Sequence, residues 1–362
     1  MFVAWRDLRF AKGRFALMGT VVVLITLLVG LLSGLTAGLA KENTSAVTGL
    51  SADHLAFAAP PDGQSVSFTN STVKESAWRS WAGQPGVEKA QPLGIRTLNA
   101  AAAAGERTAA VSAFGVEPDG GLAPSGAPVG PGKVVLSGQA ADDLSARAGD
   151  RLRLGGHEVT VAAVAGDASY SHTPVVWTAL DDWQRFGADG TGSDRATVVA
   201  LTTSDGADLA AGDRAAGTST LSLDGSLTAI GSYQAENGSL QLMRGFLFAI
   251  SALVIGAFFT VWTIQRSGDV AVLKALGAST RYLLRDALGQ AVVMLAIGTG
   301  IGTALASGIG ALVSGGAVPF VLEASTVLVP AAVMIVLGAV GAALSIRRIT
   351  AVDPLTALGS AR

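Results

Sequence analysis

Four long apolar stretches without a single charged residue constrain this chain more than any other feature. They cover residues 15–40, 245–265, 287–322 and 324–346 of the 362-residue sequence. At about 1.5 Å of rise per residue, the first would form a helix of roughly 39 Å, which exceeds the ~30 Å hydrocarbon core of a bilayer. The third is long enough to hold a span and a turn near Pro319. The pattern therefore predicts four transmembrane helices.

The first apolar stretch also has features of a signal peptide. A basic segment precedes it, and the small residues Gly38 and Ala40 stand at its end. A signal peptide, however, has an apolar region of only about 7–15 residues. We therefore interpret residues 15–40 as an uncleaved span. Residues 1–14 interleave aromatic and basic side chains, which indicates a segment that lies along the lipid of the inner membrane surface.

The charges are unevenly divided along the chain. Residues 41–240 hold 13 Lys and Arg against 22 Asp and Glu, a net charge of −9, whereas the remainder carries +7. The positive-inside rule places Lys and Arg on the cytoplasmic side of the cell membrane. We therefore expect both termini to be cytoplasmic and the acidic region to be exported. An acidic exported region also argues against nucleic acid as a partner.

The exported region has the mixed pattern of an α+β domain. Alternating apolar residues predict strands at 88–97, 108–115, 133–136, 157–165, 174–177 and 196–202. Helices are expected at 72–81, 138–146 and 179–186. The predicted fold class is an α-helical membrane protein with four transmembrane helices and a large extracytoplasmic α+β domain between the first and second spans.

These patterns divide the chain into eight segments. The predicted transmembrane helices are residues 15–40, 241–265, 282–314 and 324–346. The others are the N-terminal segment 1–14, the extracytoplasmic domain 41–240, a cytoplasmic helix at 266–281 and a cytoplasmic tail at 347–362.

The segment between the second and third spans combines an apolar face with basic residues. It reads QRSGDVAVLKALGAS and ends its helical pattern at a glycine. An apolar face on a cytoplasmic loop needs a surface that buries it, either a partner protein or the chain's own helix bundle. We favour a partner. The residues predicted to couple to it are Arg266, Asp269, Val270, Leu273, Lys274, Leu276 and Gly277.

Two motifs carry a family resemblance. LKALGAS at residues 273–279 and RRITAVDPLTAL at residues 347–358 resemble the coupling loop and the tail of FtsX-like (MacB-type, type VII) ABC transporter permeases. Gly268 departs from the pattern, since relatives tend to carry a charged residue there. The resemblance implies a homodimeric permease that is not an enzyme. A cognate ABC ATPase dimer would drive it, and ATP hydrolysis there would become movement outside the cell, a mechanism called mechanotransmission.

The chain itself lacks the residues that bind ATP. Gly132 and Lys133 come nearest to a Walker A motif, but Val134 follows where that motif needs Ser or Thr. The sequence has no cysteine and only three scattered histidines, so it offers no metal-binding motif. We therefore expect no intrinsic cofactor, and ATP to be bound by the partner subunit.

Two further stretches resemble heme-exporter permeases of the HrtB type. They are RDLRFAKGRFALMG with LLSGLTAGLA near the N-terminus, and YSHTPVVW at residues 170–177. This resemblance implies that heme is the exported ligand. A heme site needs an iron ligand such as tyrosinate, an apolar slot and a cation. The candidate heme-binding residues are Tyr170, Tyr233, His172, Phe57, Met243 and Arg244.

Most of these candidates also suit a purely structural role. Tyr233 fits an aromatic position at the membrane interface, and Arg244 fits a side chain that snorkels from the start of its span. Tyr170 and His172 fit hydrogen bonds within the domain. Met243 fits ordinary packing.

Small residues recur every fourth position near the outer end of the first span. Gly30, Gly34 and Gly38 form a smooth strip that permits close approach of another helix. Three uses remain open for this strip: packing within one subunit, a dimer contact, or a surface that faces the ligand.

Two other functions suit the same architecture. One is export of a lipid, a lipopeptide or an antimicrobial peptide in the manner of MacB-like proteins. The other is an FtsX-like signalling permease that moves nothing and controls an extracytoplasmic enzyme.

Overall fold

The computed structural model describes residues 12–102, 107–124, 126–186, 194–265, 268, 272–274, 276–314 and 318–350. The chain divides into two compact units. Leu39–Gly238 forms one, named here the α+β domain. Met1–Gly38 with Ser239–Arg362 forms the other, named the span unit. The predicted N-terminal segment 1–14, apart from its last three residues, and the tail beyond residue 350 lie outside the described residues.

Long apolar helices dominate the span unit. The helices of the described residues are α1 (Lys12–Thr48), α2 (Glu75–Ala82), α3 (Gly138–Leu144), α4 (Leu180–Arg185), α5 (Leu209–Ala216), α6 (Leu223–Ser226), α7 (Gly231–Gln265), α8 (Thr280–Val313) and α9 (Ala324–Thr350). Four stretches are long and apolar enough to cross a membrane: Ala16–Thr48, Gly231–Gln265, Arg281–Val313 and Ala324–Leu344. The expected fold class, four such helices with an α+β domain between the first two, is confirmed.

Helix α1 does not end with the uncharged stretch at Ala40 but runs on to Thr48. Neither Gly nor Pro interrupts residues 41–48, and Gly49 follows them. Asn43, Ala46 and Val47 are at most 2% exposed. Because Ala46 and Val47 pack into the main hydrophobic core of the α+β domain, burial extends the helix beyond its apolar run.

A ten-stranded sheet forms the centre of the α+β domain, in the order β12-β1-β11-β3-β4-β9-β5-β7-β6 with β8 beside β9. The short β2 and β10 pair separately. The strands are β1 (His54–Ala58), β2 (Val73–Lys74), β3 (Val87–Ala102), β4 (Thr108–Val116), β5 (Lys133–Leu136), β6 (Arg151–Leu154), β7 (His157–Val164), β8 (Ser169–Tyr170), β9 (Thr173–Ala179), β10 (Arg195–Ala196), β11 (Val198–Thr203) and β12 (Thr218–Ser222).

Strand β3 belongs to two parts of this sheet. Its first half pairs with β11 up to Leu93, and from Gly94 onward it pairs with β4. Its last residues, Ala100 to Ala102, pair with β6. Since β6 also pairs with β7, the strands β3, β4, β9, β5, β7 and β6 close into a ring. The changeover at Gly94 joins this ring to the open part of the sheet.

Two glycines opposite each other make room for a tryptophan. Gly94 and Gly115 are directly paired across β3 and β4. A Cβ at Gly94 would overlap the Trp183 ring, and one at Gly115 would lie 2.5 Å from the Cβ of Trp183. Trp183, on α4, is only 5% exposed. The glycine pair therefore forms the recess that holds this indole against the sheet.

The glycine strip of α1 packs against its own chain. A Cβ at Gly30 would lie 2.8 Å from the Ala306 Cβ, and one at Gly34 or Gly38 would overlap Phe320 or the Pro319 carbonyl. Of the three uses left open for the strip, the structure supports packing within one subunit. The close contacts of these three glycines are therefore made within the chain itself.

The predicted strands lie within β3, β4, β5, β7 and β9, and the last one spans β10 and β11. The predicted helices at 72–81, 138–146 and 179–186 overlap α2, α3 and α4. Strands β1, β2, β6, β8 and β12 were not predicted. Each has at most five residues, and β1 and β12 also depend on pairing with strands distant in the chain.

We expect Gly94→Ala to destabilise the α+β domain by about 1–3 kcal/mol, because the new methyl group overpacks the Trp183 site. Denaturant unfolding of the purified protein, followed by tryptophan fluorescence, measures this loss. Gly130→Ala is the matched control, since a Cβ at Gly130 meets no atom within 4 Å. Equal unfolding midpoints for the two variants would contradict the assignment of the glycine recess.

Candidate functional site

The hairpin between β8 and β9 carries the predicted residue His172 at its tip. Tyr170 and Thr173 pair across it, leaving a two-residue turn. The turn residues Ser171 and His172 have φ of 50° and 62°, as a type I′ turn requires. Their backbone N–H groups donate to α1, from Ser171 to the Asn43 carbonyl (3.1 Å) and from His172 to the Glu42 carbonyl (3.3 Å). The hairpin tip is thereby held against the end of α1.

Side chains extend this contact to the start of α7. The His172 Nε2 lies 2.8 Å from Glu236 Oε1, and Asn43 Nδ2 donates to Glu236 Oε2 over 2.9 Å. Ser232 donates to Asn43 Oδ1, and its hydroxyl lies 2.8 Å from that of Ser171. We call this group the Asn43 cluster; its members are Glu42, Asn43, Ser171, His172, Ser232 and Glu236.

The hydrogen-bonding pattern of the cluster depends on the imidazole. His172 Nε2 lies 2.8 Å from both Asn43 Nδ2 and Glu236 Oε1, and one ring nitrogen cannot accept from the first while donating to the second. The Glu42 carboxylate is 3.5 Å from Nδ1. Glu236 Oε2 accepts from Asn43 Nδ2 and also lies 3.0 Å from His172 Nε2, so the amide, the imidazole and the carboxylate meet at one point.

Two of the predicted heme-binding residues are buried in the domain core. Phe57 is 0% exposed and its ring centroid lies 4.8 Å from that of Phe68. Tyr170 makes edge contacts with Phe68 at 5.8 Å and Phe114 at 5.7 Å. Burial raises the pKa of Tyr170 well above its ordinary value, because the tyrosinate loses its hydration. Phe57 and Tyr170 are therefore packed in the core of the domain, and their roles in heme binding stay predictions.

The other candidates occupy less buried positions. Tyr233, in the first turn of α7, is partly buried against the main core of the α+β domain. Met243 and Arg244 belong to the span unit, where the Met243 side chain is 50% exposed. Among the described residues, no group of three or more His, Asp or Glu is arranged to hold a metal ion.

The connection between α7 and α8 ends its short helix in a Schellman motif. The Ala278 N–H donates to the Leu273 carbonyl and the Gly277 N–H to the Lys274 carbonyl. Gly277 has a φ of 93°, which few other residues adopt. Leu273 is 39% exposed and Leu276 80% exposed. Arg266, Asp269 and Val270, also predicted to couple, lie outside the described residues.

Asn43 and Glu236 were absent from the predicted site. The signal available was weak: both are polar residues a few positions outside an apolar stretch, where polar residues are ordinary. Only the fold shows that Glu236, Asn43 and His172 meet, since 193 residues separate Asn43 from Glu236.

We expect Asn43→Leu to lower the free energy of unfolding by about 1–3 kcal/mol, because a side chain of similar size leaves partners in the cluster unsatisfied. Denaturant unfolding followed by tryptophan fluorescence measures this change. Asn99→Leu, at an exposed position of β3, serves as the control. If both variants unfold at the same denaturant concentration, the cluster does not stabilise the domain.

Two family models match the chain. The MacB-like periplasmic core domain matches residues 16–218, and the FtsX-like permease C-terminal model matches residues 242–354. A putative hemin transport system permease protein, HrtB, from Staphylococcus haemolyticus is 25% identical over 99% of both chains. An uncharacterised ABC transporter permease from Mycobacterium bovis is 24% identical over 99% of both chains.

Solved structures of similar domains show weaker likeness. The periplasmic region of MacB from Actinobacillus actinomycetemcomitans covers 49% of this chain and 92% of its own, with 13% identity and a TM-score of 0.35. The extracellular domain of the transporter YknZ from Gram-positive bacteria covers 48% of this chain, with 12% identity and a TM-score of 0.35. On the family matches, which together span most of the sequence, this chain belongs to the FtsX-like and MacB-like ABC transporter permeases.

Proposed function

We propose that this chain is the permease subunit of an ATP-driven exporter whose cargo is heme. It acts as a homodimer in the cell membrane, with both termini cytoplasmic and the α+β domain outside. A separate pair of ABC ATPase subunits binds ATP. The observation that carries the proposal is the Asn43 cluster, where two helices that contain candidate spans, α1 and α7, hold the same hairpin.

The cluster supports transmission of movement from the span helices to the α+β domain. Asn43 lies on α1 and Glu236 on α7, and both contact His172 at the hairpin tip. Because α1 and α7 are each continuous helices, a shift along either one displaces the hairpin. The hairpin continues directly into β9, a central strand of the sheet. A push on the helices thereby reaches the domain without a flexible linker.

The movement of the ATPase subunits would reach the permease through the connection between α7 and α8. Leu273 and Leu276 present apolar side chains there, and water is an unfavourable neighbour for them. The Schellman motif at Gly277 fixes where this short helix ends and where the chain turns toward α8. Ser279 then caps α8, its hydroxyl accepting from the Tyr282 N–H. A partner ATPase that buries the two leucines would act on the chain between α7 and α8.

The double change Leu273→Asp and Leu276→Asp should abolish copurification with a co-expressed cognate ABC ATPase, since two carboxylates cannot enter an apolar groove unpaired. The permease should remain in the membrane in normal amount. Val318→Asp with Leu322→Asp is the control, because these exposed apolar residues lie in the other connection, between α8 and α9. Normal copurification of the first variant would remove the docking proposal.

Heme as the cargo rests on the relative named as a hemin transport permease, which aligns over the whole chain. Of the candidate residues, Tyr233 and His172 are possible iron ligands within the α+β domain, and Met243 and Arg244 stay candidates from the sequence alone. The burial of Tyr170 leaves Tyr233 as the tyrosine best suited to the iron. Export of a lipid, lipopeptide or peptide, and a signalling role without cargo, are the competing outcomes.

Titration of the purified protein with hemin, followed by its visible absorbance, tests the cargo. Tyr233→Phe should weaken binding at least fivefold, because the phenolate oxygen is lost. Tyr170→Phe should leave binding unchanged, since its ring lies in the core. Tyr282→Phe, the third tyrosine of the chain, is the matched control. Absence of saturable hemin binding by the unaltered protein would instead favour a different cargo or a signalling role.

A further inference from the structure

The α+β domain contains an open cavity that the proposed transport mechanism does not use. It has a volume of about 410 Å³ and lies beside β3, α4 and β10. This size falls within the range of small-molecule sites, roughly 300–1,000 Å³. We call it the Arg96 cavity; its principal lining residues are Phe68, Arg96, Tyr170, Trp183, Gln184 and Arg195. The Asn43 cluster does not contribute to this lining.

The charge of the cavity is opposite to that of the domain around it. Of the described residues that line it, two are arginines and none is Asp or Glu. The domain segment 41–240 as a whole carries 22 acidic against 13 basic residues. Two cations gathered without a carboxylate create a local positive potential, which attracts anions. An anion is therefore the ligand class that the lining favours.

Arg96 contacts an aromatic ring, and it forms no ion pair with any acidic residue that the structure describes. Its guanidinium carbon lies 4.7 Å from the centroid of the Trp183 ring, a cation–π contact. Trp183 in turn is fixed by the recess at Gly94 and Gly115. The side chain of Arg96 is thus positioned at the cavity wall while its charge stays unneutralised. A bidentate carboxylate is the group that a guanidinium binds best.

Two buried donors in the lining lack an acceptor. Arg96 Nη1 and Trp183 Nε1 have no hydrogen-bond partner within the part of the chain that the structure describes. Both groups can only donate, and an unsatisfied buried donor costs about 1–3 kcal/mol. Trp183 is 5% exposed, so water cannot freely replace the missing partner. What the site lacks is an acceptor.

The remaining lining combines three aromatic rings with hydroxyl and amide side chains. The rings of Phe68 and Tyr170 meet edge to face at 5.8 Å and line the cavity together with Trp183. Hydroxyl groups of Ser71, Thr97 and Thr197 lie in the same lining. Aromatic rings offer a surface to a flat group, and the hydroxyls offer hydrogen bonds to its polar edge. We propose that the Arg96 cavity binds a small aromatic carboxylate, whose carboxylate pairs with Arg96 and Arg195 and whose ring lies among Trp183, Tyr170 and Phe68. This site is separate from the heme residues proposed above and does not depend on them.

The test uses the full chain in detergent with its six tryptophans replaced by 5-fluorotryptophan. The ¹⁹F resonance of Trp183 is assigned by its loss in Trp183→Phe. Titration with 1-naphthoate should shift this resonance saturably. Arg96→Gln and Arg195→Gln should each weaken binding at least tenfold. Arg153→Gln, an exposed arginine of β6 outside the cavity, should not.

Uncharged 1-naphthalenemethanol and inorganic phosphate distinguish the two parts of the proposal. Binding of the alcohol as tight as that of 1-naphthoate would mean apolar partition only and would overturn the anion site. Equal binding of phosphate would overturn the aromatic assignment. If Arg96→Gln also shifts the other tryptophan resonances, the fold has changed. The exposed Arg195→Glu variant then decides, and unaltered 1-naphthoate binding by it refutes the proposal.

Discussion

The hydrogen bonds of the Asn43 side-chain amide are the contacts on which the arrangement of the α+β domain most depends. This amide is almost fully buried and joins α1 to Glu236 on α7 and to His172 on the hairpin. Loss of a buried polar partner is costly, because its neighbours cannot recover their hydrogen bonds from water. Segments that are far apart in the chain are thereby held together by a few directional contacts. Hydrogen bonds have a preferred geometry, so they resist the sliding of one element past another, whereas apolar packing allows it. The hydrogen bonds of the Asn43 cluster would therefore suit the coupling of helices to the hairpin.

A second constraint is the glycine pair at Gly94 and Gly115. Their missing side chains admit Trp183, and Trp183 contacts Arg96. Because Gly94 and Gly115 lack a Cβ, Trp183 can pack where it does and thereby set the position of Arg96 at the cavity wall. The sheet supplies both the recess and Arg96, and the short helix α4 supplies the indole ring that contacts Arg96.

Sequence patterns predicted the features that depend on local composition. Uncharged apolar stretches identified the span helices because lipid excludes charges, and Gly277 marked a helix end because few other residues adopt its φ. Features that depend on distant pairing were missed, such as the contact of Asn43 with Glu236 and the closure of β3 on β6. The burial of Tyr170 could not be predicted, because a tyrosine near a turn suits a surface as well as a core. Alternation along a strand does not say which of two faces is covered.

Strand β3 belongs both to the open part of the sheet and to the closed ring, and this has a mechanical consequence. One unbroken backbone carries the hydrogen bonds of the open sheet and those of the closed ring, with the exchange at Gly94. A displacement that starts at β11 therefore travels to β6 along covalent bonds and not across side-chain contacts that can slip. The open sheet and the closed ring therefore share one continuous strand, with no loop between them.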